Sequence, residues 1–352
     1  MKKSLKKYRE TIEGLLVDIA WAQWNRLGVY GAGKKNNCVT DIEAAIAFVA
    51  FVGWLDGRLF DNALSWIHEY QAVVSGERLK FFIKDIDDPY FPRCIGAMIE
   101  SAAATKDSAR WKHFLTQLKK TLPKGNNKAG NIFQLSGKKE SWVKRDPSFK
   151  KWGLAKEQVV LSRKLKRHAE IMHDNAAMRY RYVFGPIARA DIFYLMTVAS
   201  KLGRPLNTSD LTAIIGYHHS SAYRILQDLL RAGIVEAHGE TGSKNVRWSL
   251  TGEFSLQSAA DIDTTLINWM TATQAFIEII KLIYAVDGIE NELVAKHACY
   301  ESLNAASRML RESGFLTVPS LPVEPLERYE ISDLLVFAVE SLQAIIEEMT
   351  KK

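Results

Sequence analysis

The sequence predicts a mainly α-helical protein with one small β element. Apolar residues recur at three- and four-residue spacing over most of residues 1–122 and again over most of residues 253–352, which is the period of an amphipathic helix. Short runs rich in β-branched and aromatic residues stand side by side near residues 234–250, separated by turn residues. The chain has 352 residues, of which 47% are hydrophobic and 25% charged, so its composition is that of a globular protein with a large core.

Residues 1–122 are predicted to form a helical N-terminal domain. Asp41 is a suitable N-cap because its carboxylate can accept a hydrogen bond from an N–H group of the first helical turn. The most apolar run, at 44–55, is shorter than the roughly 20 residues that a membrane span requires, so it predicts a buried helix and no membrane association. The predicted helices cover residues 5–28, 41–55, 59–73, a short stretch from 77, 94–104 and 109–122.

Residues 123–154 are predicted to be a basic linker, because glycine, asparagine and proline interrupt any helical period there. Residues 119–167 hold 15 Lys/Arg and 3 Asp/Glu, a net charge of +12, which suits a segment that follows the phosphate backbone of DNA. The alternative is a solvated surface loop. Residues 155–186 are then predicted to form a connecting helix. The linker side chains expected to contact DNA phosphates are Lys138, Lys139, Lys144 and Arg145.

Residues 187–252 carry the pattern of a winged helix-turn-helix: a helix, a second helix, a turn, a third helix and two strands. Asn207 or Thr208 can cap the second helix, and Gly216 follows it where the chain can turn with positive φ. A glycine-rich loop, 239–245, joins the two strands as a β-wing. The predicted helices are 187–202, 209–215 and 219–232, and the predicted strands are 234–237 and 246–250.

The third of these helices has the composition of a helix that enters the major groove of DNA. Its buried stripe consists of Ala222, Leu226 and Leu229, and small hydroxyl residues begin the opposite face, one turn before an arginine. A recognition helix reads base edges with its N-terminal residues. The side chains of this helix and of the wing that are expected to contact DNA are Ser220, Ser221, Arg224, Gln227, Lys244 and Arg247.

The run TSDLTAIIGYHHSSAYRILQDLLRAGIVEAHGETGSKNVRWSL, residues 208–250, resembles winged helix-turn-helix regulators of the MarR and ArsR kind. The match lies in the small residues followed by Arg224, in Leu229, in the AGIV ending and in the glycine-rich loop. The segment RYRYVFGPIARADIFYLM before it looks like one found in uncharacterised bacterial winged-helix proteins. Two positions depart from the pattern: Thr212 stands where alanine is usual, and His218 where a serine or threonine cap is usual. The resemblance implies a DNA-binding fold and leaves operator and effector open.

Residues 253–352 are predicted to be a helical region with a role other than DNA binding. They hold 7 Lys/Arg and 16 Asp/Glu, a net charge of −9, which makes a poor surface for DNA. The apolar faces of Leu266–Ile283 and Leu334–Ile346 need cover. We expect them either to form the interface of a homodimer or to pack back on the N-terminal domain. The predicted helices are 259–285, 291–313 and 331–351.

These patterns together predict a cytoplasmic DNA-binding protein that acts as a transcriptional regulator, and as a homodimer because one recognition helix reads only a short half-site. One alternative is a winged-helix antitoxin or adaptor that binds another protein. A second is an enzyme with an unfamiliar polar pocket in the N-terminal domain. The sequence has no nucleotide-binding glycine motif and no familiar catalytic motif, and its 3 cysteines stand far apart, which predicts buried thiols, no metal site and no cofactor.

Overall fold

The fold is mainly helical, as the sequence predicted. The described residues form 15 α-helices, a small three-stranded antiparallel sheet and one pair of two-residue parallel strands. Among these residues, no helix combines the length and the apolar character needed to cross a membrane. The structure is a computed structural model that describes residues 2–31, 36–86, 88, 90–104, 108–122, 130–131, 145–162, 164–239, 246–252, 265–286, 289–322 and 328–351.

The helices and strands have the following bounds. The first eight helices are α1 (Lys2–Arg26), α2 (Ile42–Val52), α3 (Gly57–Tyr70), α4 (Gly76–Asp85), α5 (Tyr90–Ala103), α6 (Ser108–Thr121), α7 (Pro147–Lys151) and α8 (His168–Asp174). The others are α9 (Ala176–Phe184), α10 (Ala188–Lys201), α11 (Thr208–Ile215), α12 (His219–Arg231), α13 (Trp269–Ala285), α14 (Glu292–Glu312) and α15 (Ile331–Thr350). The strands are β1 (Gly130–Asn131), β2 (Leu154–Ala155), β3 (Leu206–Asn207), β4 (Val235–His238) and β5 (Arg247–Leu250).

Helix α2 lies at the centre of the molecule, because every one of its residues is buried. It packs against α1, α5 and α13, so it is in contact with both ends of the chain. Its first turn is closed by Asp41, whose carboxylate accepts a hydrogen bond from the N–H group of Ala44 at 2.9 Å. The cap predicted from the sequence is therefore confirmed, and it also fixes the start of a helix that carries a single charged side chain, Glu43, into the core.

The three C-terminal helices pack back on the N-terminal ones. Helix α15 lies along α1, and α13 lies against both α14 and α2. Burial in α13 extends almost around the whole helix, from Trp269 to Ile283. The apolar faces of Leu266–Ile283 and Leu334–Ile346 are therefore covered within the chain and are not exposed for a second copy. Of the two roles that the sequence left open for them, packing on the N-terminal helices is the one observed.

The end of the predicted linker is part of the packed structure. Helix α7 begins after its N-cap Asp146, and it packs against α5. The side chains of Phe149 and Trp152 are buried there, and the space that Gly96 leaves by lacking a Cβ atom is filled by the Trp152 ring. These aromatic residues anchor a segment that composition alone assigned to a linker. Outside the described residues lie 123–129 and 132–144.

The described residues 156–162 and 164–167 form no helix, whereas the sequence predicted one connecting helix over 155–186. Leu165 pairs with Val29 in an antiparallel bridge, and the N–H group of Lys166 donates to the carbonyl of Gly28 at 2.8 Å. This long-range pairing overrides the local helical period. Helical structure begins with the short helix α8 and continues in α9.

The three-stranded sheet is attached to helices α10, α11 and α12. Strand β5 is central and pairs antiparallel with both β3 and β4. Trp248 of β5 is buried, and its indole N–H donates to the hydroxyl of Thr208 at 3.2 Å, which ties the sheet to the first residue of α11. Helices α10, α11 and α12 and strands β4 and β5 begin and end within about two residues of the predicted bounds. The short strand β3 was not predicted.

Candidate nucleic-acid interface

The turn between α11 and α12 is defined by local caps. The side chain of Asn207 accepts a hydrogen bond from the N–H group of Asp210 at 2.7 Å, and the Asp210 carboxylate accepts one from the N–H group of Asn207 at 3.4 Å. This reciprocal pair is a capping box. Gly216 ends α11 with φ of +69°, a left-handed conformation that glycine adopts without strain. His218 then caps α12, its Nδ1 accepting from the N–H group of Ser220 at 3.4 Å. The histidine thus performs the capping role usual for serine or threonine.

Helix α12 has one buried and one exposed face, as predicted. Ala222, Leu226 and Leu229 are buried, whereas Ser220 and Arg224 are exposed one turn apart near the start of the helix. Within the part of the chain that the structure describes, Arg224 has no ion-pair or side-chain hydrogen-bond partner. Its guanidinium group is therefore available for a ligand.

The other predicted residues of this helix are less accessible. Ser221 and Gln227 are half-buried, and the amide nitrogen of Gln227 is itself buried, so it does not face solvent. Beyond them, Asp228 lies 3.8 Å from Arg189 and 3.6 Å from Arg231. The C-terminal half of the exposed face is thus partly neutralised, and the unpaired cation lies at its N-terminal half.

The strand hairpin carries one exposed arginine among its described residues. Arg247 is exposed on β5, where its Nη1 donates to the carbonyl of Pro205 at 3.5 Å. Arg204, next to that proline, is exposed too. Sequence reasoning missed Arg204, because strand β3, which begins two residues after it, was not predicted. The predicted contact Lys244 lies outside the described residues.

The predicted linker contacts lie apart from α12 or outside the description. Arg145 is exposed, but it stands at the start of the segment that packs on α5, paired in a bridge with Glu157. Helix α12 packs instead against α10, α11 and β4. The structure therefore does not bring Arg145 onto the α12 surface. The linker lysines that lie outside the described residues are Lys138, Lys139 and Lys144.

A buried charge cluster beneath α10 and α11 was missed at the sequence level. We define it as Asp41, Glu43, Arg78, Arg181 and Asp191, of which the last four are buried and Asp41 is half-buried. Arg181 uses its whole guanidinium fork: its two Nη atoms donate to Glu43 at 2.7 and 2.8 Å, and Nε and Nη2 donate to Asp191 at 2.7 and 3.0 Å. Its remaining N–H group donates to the carbonyl of Val73 at 2.9 Å. The signal in the sequence was the lone charge of Glu43 in an otherwise apolar helix.

The second arginine of the buried charge cluster extends it to the turn between α11 and α12. Arg78 donates to Glu43 at 3.1 Å, pairs with Asp41, and donates through Nε to the carbonyl of Ile215 at 2.8 Å. Burial by itself raises the pKa of Glu43, but Arg181 and Arg78 outweigh it and hold that pKa below its ordinary value. For Asp41 burial is the larger effect, so its pKa is raised in spite of Arg78. Four of its five members are buried and paired with one another, which suits a structural role better than turnover of a substrate.

One cleft among the described residues has polar side chains in its lining but carries no recognisable chemistry. It measures about 260 Å³ and is lined by the end of α1 together with Tyr30, Lys166 and Asp174. Lys166 Nζ lies 2.9 Å from Asp174, so these two charges neutralise each other. Within the described chain, no group of three His, Cys, Asp or Glu residues is arranged to hold a metal ion. The 3 cysteines are buried, as predicted.

Comparison with known proteins gives no family assignment. No protein-family model matches the chain, and no curated protein and no solved structure is significantly similar to it.

Proposed function

We propose that this protein binds double-stranded DNA through α12 and acts as a transcriptional regulator. The observation that carries the proposal is the exposed N-terminal half of α12, where Ser220 and the unpaired Arg224 follow a tight glycine turn. The order α10, β3, α11, α12, β4, β5, with β5 between β3 and β4, supports the winged helix-turn-helix arrangement expected from the sequence. The resemblance to MarR- and ArsR-like regulators points to the same function.

In this proposal α12 enters the major groove by its N-terminal end. An arginine at that position can donate two hydrogen bonds to O6 and N7 of a guanine, the most common base-specific contact. The hydroxyl of Ser220 and the N–H groups of the first turn suit a neighbouring phosphate. Arg204 and Arg247, exposed beside the sheet, suit backbone phosphates, which position the protein without reading sequence.

The decisive experiment removes the two exposed groups at once. Arg224→Ala with Ser220→Ala is expected to weaken binding to the DNA upstream of the protein's own gene by about 1–3 kcal/mol, the value of a lost base contact. The fold should persist because neither side chain belongs to the buried stripe. Arg58→Ala is the matched control, since Arg58 is also an exposed arginine, on α3. Unchanged affinity of the double variant in a titration at fixed salt would remove α12 from the interface.

A homodimer is part of the proposal, because one recognition helix contacts only a half-site. The faces first considered for its interface are covered within the chain, so the interface must lie on another surface. Light scattering of the full chain with and without the upstream duplex tests this part. Two copies per duplex are expected, and a single copy at saturation would contradict it.

A protein-binding role, as a winged-helix antitoxin or adaptor, is the second candidate. It is favoured by apolar side chains exposed where α9 meets α10: Val183 is 72% and Ile187 51% exposed, with Tyr182 and Phe184 beside them. Exposed apolar groups of this size mark surfaces that contact other proteins. Co-expression with the neighbouring gene tests the candidate: Val183→Ser with Ile187→Ser should abolish co-purification of its product and leave DNA affinity unchanged.

A further inference from the structure

The turn between α11 and α12 is held from outside at consecutive residues. The carbonyl of Ile215 accepts from Arg78 Nε at 2.8 Å, and the hydroxyl of Tyr217 lies 3.3 Å from that of Ser75. Between them, a Cβ atom on Gly216 would lie 2.7 Å from the methyl group of Met270, so α13 closes over the turn. All these outer contacts come from α4, its N-cap Ser75 and α13, which lie far from the turn in the sequence.

Arg78 reaches the turn from a fixed position. It is only 3% exposed, and its two Nη atoms donate to Glu43 and Asp41 at the start of α2. Its Nε donates to the carbonyl of Ile215, which is one of the last four of α11 and has no partner inside the helix. A cation at a helix C-terminus also faces the negative end of the helix dipole. The guanidinium group therefore joins two helix ends, the first turn of α2 and the last turn of α11.

The first helix of the module is held by the same carboxylate. Arg181 donates to Glu43 with two atoms and to Asp191 of α10 with two more, all between 2.7 and 3.0 Å. Glu43 thus stands between two arginines, one reaching α10 and the other the turn before α12. Because a guanidinium fork has a rigid planar geometry, this arrangement leaves little freedom to rotate the module against the core.

We propose that Arg78 is the positioning residue for α12, and that the N-terminal core thereby sets how the start of α12 is presented to DNA. The inference rests on the proposed function. Ser220 and Arg224 lie in the N-terminal half of α12. This helix follows directly after the turn that Arg78 holds at Ile215. A bidentate contact to a base tolerates little displacement, because hydrogen bonds weaken steeply outside their narrow range of distance and angle. Buried Arg78 cannot itself touch a phosphate, so its effect falls on sequence discrimination.

The test uses Arg78→Lys in the full chain. Lysine keeps the positive charge near Asp41 and Glu43, but it lacks the fork that also reaches Ile215. We expect the ratio of affinities for the protein's own upstream DNA and for a shuffled duplex of the same composition to fall by about tenfold or more, because a lost bidentate base contact has that size. Affinity for the shuffled duplex and its salt dependence should stay at the parent values. Arg58→Lys, the same change at an exposed position, should alter neither.

A second measurement tests, in the absence of DNA, how firmly the turn between α11 and α12 is held. Hydrogen exchange of the amides over 216–222 should become faster in Arg78→Lys and stay at the parent rate in Arg58→Lys. Tyr217→Phe, which removes only the hydroxyl near Ser75, should show a smaller effect of the same kind, and it decides the question if the lysine variant does not fold. Parent discrimination, or parent exchange over 216–222, in both folded variants would overturn the inference. A parent chain that binds the two duplexes equally would contradict the proposed function instead, and exchange alone would then decide whether Arg78 holds the turn.

Discussion

Two glycines in the module share one backbone conformation but not one environment. Gly216, before α12, and Gly233, after it, both have φ of +69°. A Cβ atom on Gly233 would meet nothing within 4 Å, whereas one on Gly216 would lie 2.7 Å from the methyl group of Met270. The pair therefore separates the effect of backbone strain from the effect of packing against α13.

Alanine at each position should destabilise the protein by different amounts. Gly233→Ala is expected to cost about 1–2 kcal/mol, which is the price of a left-handed conformation for a residue with a Cβ atom. Gly216→Ala should cost more, because Met270 must also move. Urea denaturation of both variants measures the difference. Equal losses would show that α13 adapts freely to the turn.

The charge of Glu43 matters because two buried arginines depend on it. Glu43→Gln removes the anion shared by Arg181 and Arg78, and breaking a buried ion pair costs about 3–5 kcal/mol. We expect a loss of that order in the free energy of unfolding at neutral pH. Glu301→Gln, at an exposed position of α14, is the control and should change little.

The same residue predicts a dependence on pH. Because the folded pKa of Glu43 is depressed, its stabilisation is fully present above the ordinary glutamate pKa, about 4.3, and is lost as pH falls through the lower folded value. The difference in stability between the parent and Glu43→Gln should therefore be constant from neutral pH down to the ordinary value and shrink below it. Denaturation at a series of pH values checks this. A difference that grows on acidification would contradict the assigned direction.

At the scale of elements, helix ends were the most predictable part of the fold. Asp41, Asn207 and Gly216 determine ends by local hydrogen bonds and local backbone geometry, so their roles were visible in the sequence. The non-helical backbone of residues 156–162 and 164–167 was not, because Leu165 pairs with Val29, which lies more than one hundred residues away. The exposure of Ser220 and Arg224 could be predicted from the helical period of α12. The buried charge cluster could not be predicted, because its residues come from four separate segments of the chain.

Helix α7 provides a test of where the predicted linker ends. Phe149 is fully buried and contacts the ring of Phe60 at 6.0 Å between centroids. Truncation of a buried phenylalanine costs about 3–5 kcal/mol, so Phe149→Ala should lower the midpoint of thermal unfolding clearly. Val160→Ala, at a position 79% exposed, should leave it nearly unchanged. A neutral result for Phe149→Ala would mean that this segment behaves as a linker.

At the scale of the whole molecule, charge and packing divide the chain differently. The C-terminal region 253–352, which is acidic overall, shares one core with the first 122 residues, because α15 lies along α1 and α13 along α2. Local periodicity identified these apolar helix faces but left their partner open between a second copy and the same chain. The strongly basic stretch lies between the two parts in sequence. Its end, from α7 onward, packs on α5, so an electrostatic role is best tested at the basic residues before α7.

The basic segment should control the salt dependence of DNA binding rather than its specificity. Each phosphate neutralised on duplex DNA contributes about −0.9 to the slope of log K against log salt. Replacing Lys138, Lys139, Lys144 and Arg145 with Gln should flatten that slope by up to roughly 3–4 units if all four make contact. The share of Arg145 should be the smallest, because it stands at the start of the segment packed on α5. Discrimination between the upstream and shuffled duplexes should stay unchanged, since phosphate contacts carry no sequence information.

The matched control for this charge change lies outside the basic segment. Lys6, Lys7 and Lys112 are exposed on α1 and α6, so their replacement by Gln removes nearly as much charge from another surface. Long-range attraction alone would flatten the slope by a similar small amount in both variants, because exposed charges farther than about 10 Å from DNA are largely screened at 0.1 M salt. Direct contact predicts a large effect only for the linker variant. Equal slopes for the parent and the linker variant would leave α12 and the strand hairpin as the whole of the DNA-binding surface.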